Sequence, residues 1–320
     1  MTSGSTPLGP GGEFDRLRAV FRRLGPRLRG AGDDAALITV DGARLALSCD
    51  LAIEGQHFRL GWLTAEEVGW RACAAALSDL AAVAAEPLGV LTAVGIPDGR
   101  DGEFLERLMD GIGRAAESTG AVLWGGDLVR APQVTIDVTV VGRADQPVRR
   151  NGAQPGDGLW VTGSLGAPRA AVAAWEAGRT PASGARERFA HPVPRVAEAA
   201  WLRDHGATAL IDLSDGLVGD AGHVAAASQA ALVVEAERVP VHPAVGAVTA
   251  DEAVALALLG GEEYELLVTL PPQFGAADQG TFVQAFTLPL TRIGTVAVGK
   301  GVQVLREGRP VAPGRGFSHF

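Results

Sequence analysis

The spacing of hydrophobic and polar residues predicts β-strands that alternate with helices. The alternation in "RLALSCD" is typical of a strand ending near Asp50, and "AALITV" before it predicts an antiparallel partner across the "DGA" turn. Thr64 and Glu67 form a capping-box pattern for a long Ala-rich helix that Pro87 closes. The segments "LGVLTAVGI", "AVLW" and "VTIDVTVVG" predict further strands, and "GEFLERLMDGIGRAAEST" predicts an amphipathic helix. The first half of the chain therefore predicts a sheet packed against helices.

A polar, proline-containing segment, "RADQPVRRNGAQPGD", separates this half from a second series of elements. There, "GLWVTG" and "SLGAPRAAVAAWEAG" predict a strand and a helix, and "ATALIDLSDGLVGDAGHVAAASQ" repeats that order. We predict an α/β class with α+β mixed sheets in two domains, because the opening hairpin is incompatible with a wholly parallel sheet. The expected division is a disordered leader over 1–12, an N-terminal domain over 13–147 and a C-terminal α/β domain over 148–320.

Composition narrows the possible partners. The 320 residues carry a formal net charge of -9 and no Lys/Arg-rich run, which argues against nucleic acid as a partner. The most apolar region is interrupted by charged residues, so we expect no membrane span. Cys49 and Cys73 belong to no closely spaced Cys/His cluster, which favours a reduced, cytoplasmic protein without structural zinc.

Aspartates recur beside glycines and near the ends of predicted strands. In "IDLSDGL" two carboxylates and a hydroxyl stand where a strand passes into a helix, the usual place for a ligand in α/β proteins. In "WGGD" an aspartate directly follows a predicted strand and two glycines. Such a set offers oxygen ligands with almost no nitrogen or sulfur, which favours Mg²⁺ shared with substrate phosphates. The set comprises Asp33, Asp34, Asp50, Asp79, Asp127, Asp212 and Asp215.

Each of these residues also has an ordinary structural interpretation. Gly-Asp-Asp is common turn chemistry, because an Asp side chain accepts nearby backbone N–H groups. Ser214 or Asp215 is a suitable helix N-cap, and Asp79 fits a solvated stripe of its helix. No single aspartate decides between these interpretations and a metal site, and the recurrence of the pattern favours a metal–phosphate enzyme.

Nine motifs in order resemble the thiamine-monophosphate kinase family, and the match runs from about Gly12 to Phe320. They are "GEFDRLR", "GDDAAL", "LSCDLAIEGQHF", "VGWRACAAALSDLAAVAAEPLG", "WGGDLVR", "RRNGAQPGDGLWVTGSLG", "IDLSDGLVGDAGH", "GGEEYELL" and "GFSHF". The wider superfamily includes aminoimidazole ribonucleotide synthetase, selenophosphate synthetase and a hydrogenase maturation protein. The resemblance implies an aminoimidazole ribonucleotide synthetase-like architecture, a homodimer formed through an N-terminal domain that binds ATP and Mg²⁺, and ATP in the cleft between the domains. It also implies the reaction of ATP with thiamine monophosphate to give ADP and thiamine diphosphate.

The resemblance also implies roles for individual residues. The implied Mg²⁺ ligands are Asp34, Ser48, Cys49, Asp50, Asp79, Asp127, Asp212 and Asp215. The implied ATP contacts are Gly126, Asp127, Arg150 and Ser214, and the implied contacts to thiamine monophosphate are His57, Glu262 and Phe317. Of these, Asp50, Asp212 and Arg150 are expected to be catalytic. The chain departs from the family pattern at Cys49, where a Thr is usual, and at Glu263, where an Asp is usual.

The proposed chemistry suits such residues. The acceptor is a phosphate monoester whose second pKa is about 6, so its attacking oxygen needs no general base near neutrality. Bringing it onto ATP instead requires positive charge, supplied by Mg²⁺ and Arg150 because the chain has no Walker-type phosphate loop. Two alternatives remain open: another ATP-using enzyme of the superfamily, and a nucleotide-binding regulator without turnover. His57, Arg150 and Phe317 also fit a structural histidine, a solvated charge and an anchor for the chain end.

Overall fold

The computed structural model describes residues 6–100, 102–246 and 248–312. Two β-sheets, each with helices on it, lie on either side of the polar segment between Arg143 and Gly158. Both sheets contain parallel and antiparallel pairs, so the predicted α/β class with mixed sheets is confirmed. No helix among the described residues is long and apolar enough to cross a membrane.

The first sheet has five strands in the order β1-β2-β5-β3-β4. These strands are β1 (Ala36–Val40), β2 (Ala43–Ile53), β3 (Glu86–Ile96), β4 (Val122–Arg130) and β5 (Thr135–Arg143). One face is covered by α2 (Ala65–Ala82) and α3 (Gly102–Ser118). The two helices pack closely because Gly69 and Gly111 face each other's backbone; a Cβ on Gly69 would lie 1.9 Å from the carbonyl oxygen of Leu108. A shorter helix, α1 (Gly12–Leu24), precedes the sheet.

Three boundaries in this half differ from the sequence prediction. The long helix has the expected Thr64–Glu67 capping box but ends at Ala82, because Ala84 turns the chain into the left-handed region at φ 52° and β3 begins two residues later. Strand β2 continues past Asp50, pairing with β5 as far as Ile53. Strand β4 runs through both glycines, so Asp127 lies within a strand rather than after one.

The second sheet has seven strands in the order β12-β11-β8-β10-β6-β9-β7. Its strands are β6 (Gly158–Thr162), β7 (Ala209–Asp212), β8 (Ala231–Glu235), β9 (Leu266–Leu270), β10 (Leu290–Ala297), β11 (Gly301–Arg306) and β12 (Arg309–Val311). The helices of this half are α4 (Ala167–Glu176), α5 (Ser183–Ala190), α6 (Val196–Asp204), α7 (Leu217–Ser228), α8 (Ala250–Leu259) and α9 (Ala276–Phe286). The short strand β7 ends at Asp212 and leads directly into α7, as the sequence predicted.

The first described residues, which fall within the expected leader, contact the rest of the protein. The backbone N–H of Thr6 donates to the carbonyl of Ala31 at 2.8 Å, and the N–H of Gly9 donates to Nδ1 of His223 at 3.1 Å. Thr6 is buried. Residues 1–5 of that expected leader lie outside the described residues.

Candidate functional site

Three carboxylates from distant parts of the sequence meet where α2 of the first half contacts β7 of the second sheet. Asp34 lies in the loop before β1, Asp79 lies near the end of α2, and Asp212 ends β7. One carboxylate oxygen from each lies within 4.8 Å of the others. We call these three residues the acidic cluster. The structure thus brings together three of the aspartates that were grouped from the sequence.

The acidic cluster contains more negative charge than its surroundings neutralise. Burial raises the pKa of Asp34 to about 7 and that of Asp212 to about 6, even though Arg150 acts in the opposite direction on both. Burial also raises the pKa of Asp79 well above its usual value, and the neighbouring carboxylates add to the effect. Oδ2 of Asp34 is buried and has no hydrogen-bond partner. A buried carboxylate in this condition is costly unless a cation balances it.

The adjacent aspartates of the Gly-Asp-Asp motif have different surroundings. Asp33 accepts Nε of Arg149 at 2.8 Å, and Arg150 lies 3.4 Å from its other oxygen. Asp34 pairs with Nη2 of Arg150 at 2.5 Å and also faces the acidic cluster. Asp33 thus fixes the two arginines, and Asp34 is the member of the pair placed to bind a cation.

Strand β2 brings alternate residues to opposite faces of the first sheet. Oγ of Ser48 donates to Oδ2 of Asp79 at 2.6 Å, which places Ser48 beside the acidic cluster. Burial and the charge of Glu262 raise the pKa of Asp50, which lies on the same face as Ser48. Cys49 points to the other face and is exposed. Its thiol is therefore directed away from the cluster that the resemblance assigned it to.

The strand-to-helix turn after β7 supplies the next part of the site. Ser214 and Asp215 line a cavity of about 180 Å³ together with Asp34, Arg150 and Asp212. The turn is fixed by Asp220, whose Oδ2 accepts the backbone N–H groups of Asp215 at 3.2 Å and of the next residue at 3.1 Å. Asp220, in the first turn of α7, was not singled out from the sequence. Its spacing within "SDGLVGD" is the signal that it caps this turn.

Gly126 and Asp127 do not join this arrangement. Asp127 is exposed on the edge strand β4, where its row of paired residues runs through Ala93 and Asp137 to Leu51 on β2. It shares the sheet face of Leu51 and is three strand spacings away, about 14 Å. Gly126 lies against β3, where a Cβ would be 1.6 Å from the carbonyl oxygen of Thr92. Strand pairing through the glycines thus places these two of the four expected ATP contacts away from the acidic cluster within one chain.

A second cavity, of about 810 Å³, adjoins the first, and Ser214 lines both. We call it the acceptor cleft; His57, Phe189 and Glu262 are among its walls. The backbone N–H of Ile53 donates to Nδ1 of His57 at 3.0 Å, so the neutral ring carries its proton on Nε2. Phe317, the third expected contact to the acceptor, lies outside the described residues.

Two buried polar side chains that sequence reasoning missed support this site. Oγ of Ser78 donates to Oδ2 of Asp212 at 2.6 Å, and the guanidinium of Arg71 pairs with Glu262. Both residues belong to α2, which also carries Asp79. In the sequence they are breaks in an apolar helix, and only the distant partners that folding brings to them reveal what they do.

Comparisons with known proteins agree with this architecture. Residues 32–144 match the family described as "AIR synthase related protein, N-terminal domain", and residues 154–306 match its C-terminal domain counterpart. The thiamine-monophosphate kinase of Salmonella typhimurium is 34% identical over 324 residues, covering 97% of this chain and 98% of the relative.

Two solved structures extend the likeness to three dimensions. The thiamine-monophosphate kinase of Stenotrophomonas maltophilia K279a is 36% identical with a TM-score of 0.79, covering 93% of this chain and 96% of that one. The structure named "AaThiL complexed with AMPPCP and TMP" is 29% identical with a TM-score of 0.86 and covers 97% of each chain. The resemblance predicted from the motifs is confirmed, and the chain belongs to the thiamine-monophosphate kinase family.

Proposed function

We propose that this protein transfers the γ-phosphoryl group of ATP to the phosphate of thiamine monophosphate, forming ADP and thiamine diphosphate. The observation that carries the proposal is the junction of two cavities at Ser214, one walled by buried carboxylates and Arg150, the other open enough for an acceptor. Full-length relatives bear the name of this activity, and one similar structure is described as a complex with AMPPCP and TMP. ATP is the co-substrate in this proposal.

The residues of the acidic cluster fit a Mg²⁺ ion. The donors are carboxylate oxygens, one of which is buried without a partner, and such oxygens are the ligands Mg²⁺ prefers. We assign the ion to Asp34, Asp79 and Asp212, with Ser48, Asp50 and Asp215 around them. When bound, Mg²⁺ neutralises these carboxylates and the ATP phosphates that approach them.

The protein's own residues bind and align the reactants. Arg150 is buried, and its contacts with Asp33 and Asp34 hold its guanidinium at the wall of the smaller cavity, where we assign it to the ATP phosphates. Ser214 stands between the two cavities and is assigned to ATP as well. His57 and Glu262 are assigned to the acceptor, as is Phe317. No residue is required as a general base, because the acceptor phosphate is largely deprotonated near neutrality.

A homodimer would bring Gly126 and Asp127, which lie away from the acidic cluster in one chain, close to the site of a second chain. The face of the first sheet opposite α2 and α3 exposes large apolar side chains on four of its five strands, which is typical of an interface rather than a solvated face. They are Ile38, Val40, Leu51, Leu91, Val122, Trp124 and Val129. Cys49 and Asp127 lie on the same face. A second copy packed there supplies a route by which Gly126 and Asp127 of one chain approach the site of the other.

The dimer proposal is tested by light scattering on the 32.9 kDa chain and on a Leu91→Glu variant. Leu91 is 41% exposed on this face, and Val283 on α9 is 42% exposed elsewhere. We expect twice the chain mass for the wild type and for Val283→Glu, and the mass of one chain for Leu91→Glu. A monomeric wild type, or a dimer unaffected by Leu91→Glu, would contradict the proposal.

The activity itself is tested by incubating the purified protein with ATP, Mg²⁺ and thiamine monophosphate and measuring ADP and thiamine diphosphate together. Equal amounts of the two products are expected, with neither formed when thiamine replaces its monophosphate. ADP release that ignores thiamine monophosphate would indicate another ATP-using enzyme of this fold. Binding of ATP without any turnover would indicate a regulator. The cysteine usage is the basis for placing this reaction in the cytoplasm.

A further inference from the structure

Arg71 lies directly behind the acceptor cleft without forming part of its wall. Its side chain is 5% exposed, whereas the neighbouring Phe189 and Glu262 line the cleft. Nη1 of Arg71 donates to the carbonyl of Phe189 at 2.5 Å, and the guanidinium lies 3.9 Å above the centre of that ring. Nη2 pairs with Oε2 of Glu262. Arg71 therefore connects two walls of the cleft from the protein interior.

Tyr264 holds the same carboxylate oxygen. Its O–H donates to Oε2 of Glu262 at 2.7 Å, and its ring centre lies 5.9 Å from the guanidinium of Arg71. Tyr264 is 8% exposed, and burial keeps the pKa of its phenol well above the usual value, so the hydroxyl remains a donor at every pH of interest. Two buried donors thus converge on one oxygen of a residue that faces the cleft.

The backbone is bent to make this convergence possible. Glu262 and Tyr264 both adopt left-handed conformations, with φ values of 69° and 51°, which are strained for residues with a side chain. The strain is maintained by the N–H of Glu262, which donates to Ser214 at 2.7 Å, and by that of Tyr264, which donates to Leu213 at 2.8 Å. The turn that carries Ser214 and Asp215 is therefore the support for the strained loop.

We infer that Arg71 and Tyr264 are positioning residues that fix the Glu262 carboxylate for the acceptor. The inference rests on the proposed function, in which Glu262 contacts thiamine monophosphate. A glutamate on a cleft wall otherwise loses rotamer freedom when a ligand binds, and donors that hold it beforehand reduce that cost. The thiazolium cation of the acceptor then meets a carboxylate already in place.

The decisive variant is Tyr264→Phe, which removes one hydroxyl and retains the ring. It should raise the KM for thiamine monophosphate roughly tenfold, because a hydrogen bond to a charged group is lost, and leave the KM for ATP unchanged. Thr208→Val is the matched control: its hydroxyl also contacts a carboxylate at 2.7 Å, that of Asp157, away from both cavities. The control should lower the melting temperature similarly and change neither KM. The KM of Arg71→Lys for thiamine monophosphate should lie between that of the wild type and that of Arg71→Met.

Placing each change in a Glu262→Ala background separates a positioning role from a merely structural one. If Tyr264 acts through Glu262, Tyr264→Phe should add little to the KM of the Glu262→Ala protein, in which the hydroxyl has no carboxylate to hold. An additive effect, or a Tyr264→Phe protein that behaves like Thr208→Val, would overturn the inference. A Glu262→Ala protein with an unchanged KM for thiamine monophosphate would instead remove the acceptor role of Glu262 itself. Calorimetric titration with thiamine monophosphate alone provides the same comparison without turnover.

Discussion

The acidic cluster and the surroundings of Glu265 are two ways of burying carboxylate charge in one molecule. Glu265 is 1% exposed and accepts hydrogen bonds from Arg188, Arg195 and Thr162. Burial alone would raise its pKa, but the two arginines hold that pKa below the usual value. In the acidic cluster three carboxylates share one arginine, and their pKa values are raised.

The difference separates structural charge from charge that awaits a ligand. Around Glu265 every carboxylate oxygen has a donor within the protein, so the charge of this carboxylate is balanced as folded. Oδ2 of Asp34 has none, and the mutual repulsion of the acidic cluster is relieved only by protonation or by a cation from solution. A buried carboxylate is therefore informative about function when its partners are too few.

The largest expected effect is on catalysis by Asp212→Asn. The amide keeps the shape of the side chain but loses the charge that a metal needs, so kcat should fall at least about a thousandfold, equivalent to about 4 kcal/mol of activation free energy. The melting temperature should stay the same or rise, because one of the repelling charges is gone. The Asp50→Asn variant should lose activity in the same way.

Steady-state thiamine diphosphate formation and thermal melting on one preparation provide the check. Asp157→Asn is the control, because Asp157 is also buried but accepts its hydrogen bonds from Gln154 and Thr208, outside both cavities. Near-normal turnover by Asp212→Asn at saturating Mg²⁺ would contradict the assignment of the acidic cluster to the ion.

The opposite pattern is expected for Glu265→Gln. Removing this charge leaves Arg188 without the carboxylate it pairs with and Arg195 with only Glu198, at 3.3 Å, which should lower the free energy of unfolding by about 3 kcal/mol. Chemical denaturation measures the change. Turnover per folded molecule should be much less affected than in Asp212→Asn. A Glu265→Gln protein as stable as the wild type would show that the two regions do not differ in the way described.

Mg²⁺ should stabilise the protein through the acidic cluster alone. At an ion concentration one hundred times the dissociation constant, the gain in unfolding free energy should be about 2.7 kcal/mol. The measurement is thermal melting with the ion and after adding a chelator, without ATP or acceptor. Glu265→Gln should keep this response and Asp212→Asn should lose it. An equal response in both variants would place the ion elsewhere.

The sequence alone was informative about the acidic cluster because the motifs that carry it are local. "GDD", "LSD" and "IDLSDGL" each place a carboxylate in a setting where its charge needs a partner, and the order of motifs indicated the family. The mixed-sheet fold followed from periodicity and from the opening hairpin. What local patterns could not indicate was strand length, and so Asp50 and Asp127 were expected at strand ends but lie within β2 and β4.

Interactions between segments that are distant in the chain could not be predicted from the sequence. Arg71 and Glu262 are 191 residues apart, and nothing near Arg71 shows that its charge is balanced by a glutamate in another domain. The environment of Glu263 depends equally on tertiary structure. Its side chain accepts the backbone N–H of Gly166, the residue before α4, which lies nearly one hundred residues earlier in the chain.

The smallest expected effect is on the pH dependence of stability and comes from Glu263. Its surroundings are intermediate between those of Glu265 and those of the acidic cluster. It is buried two residues from Glu265, yet its Oε1 accepts only the backbone N–H of Gly166 and its Oε2 has no hydrogen-bond partner. Burial raises the pKa of its carboxyl to about 8. Since this pKa exceeds the usual 4.5, the folded protein holds a proton that the unfolded chain releases, and stability is lost as the pH rises from about 4.5 through 8.

Glu263→Gln mimics the protonated acid and should remove this part of the pH dependence. The unfolding free energy of the variant minus that of the wild type should therefore increase by about 2 kcal/mol between about pH 5 and pH 6.5. Denaturant titrations at several pH values measure it, with Glu103→Gln as the control because Glu103 is 64% exposed. A difference that stays constant with pH would mean that Glu263 is charged in the folded protein. Its environment would then resemble the paired surroundings of Glu265 rather than the acidic cluster.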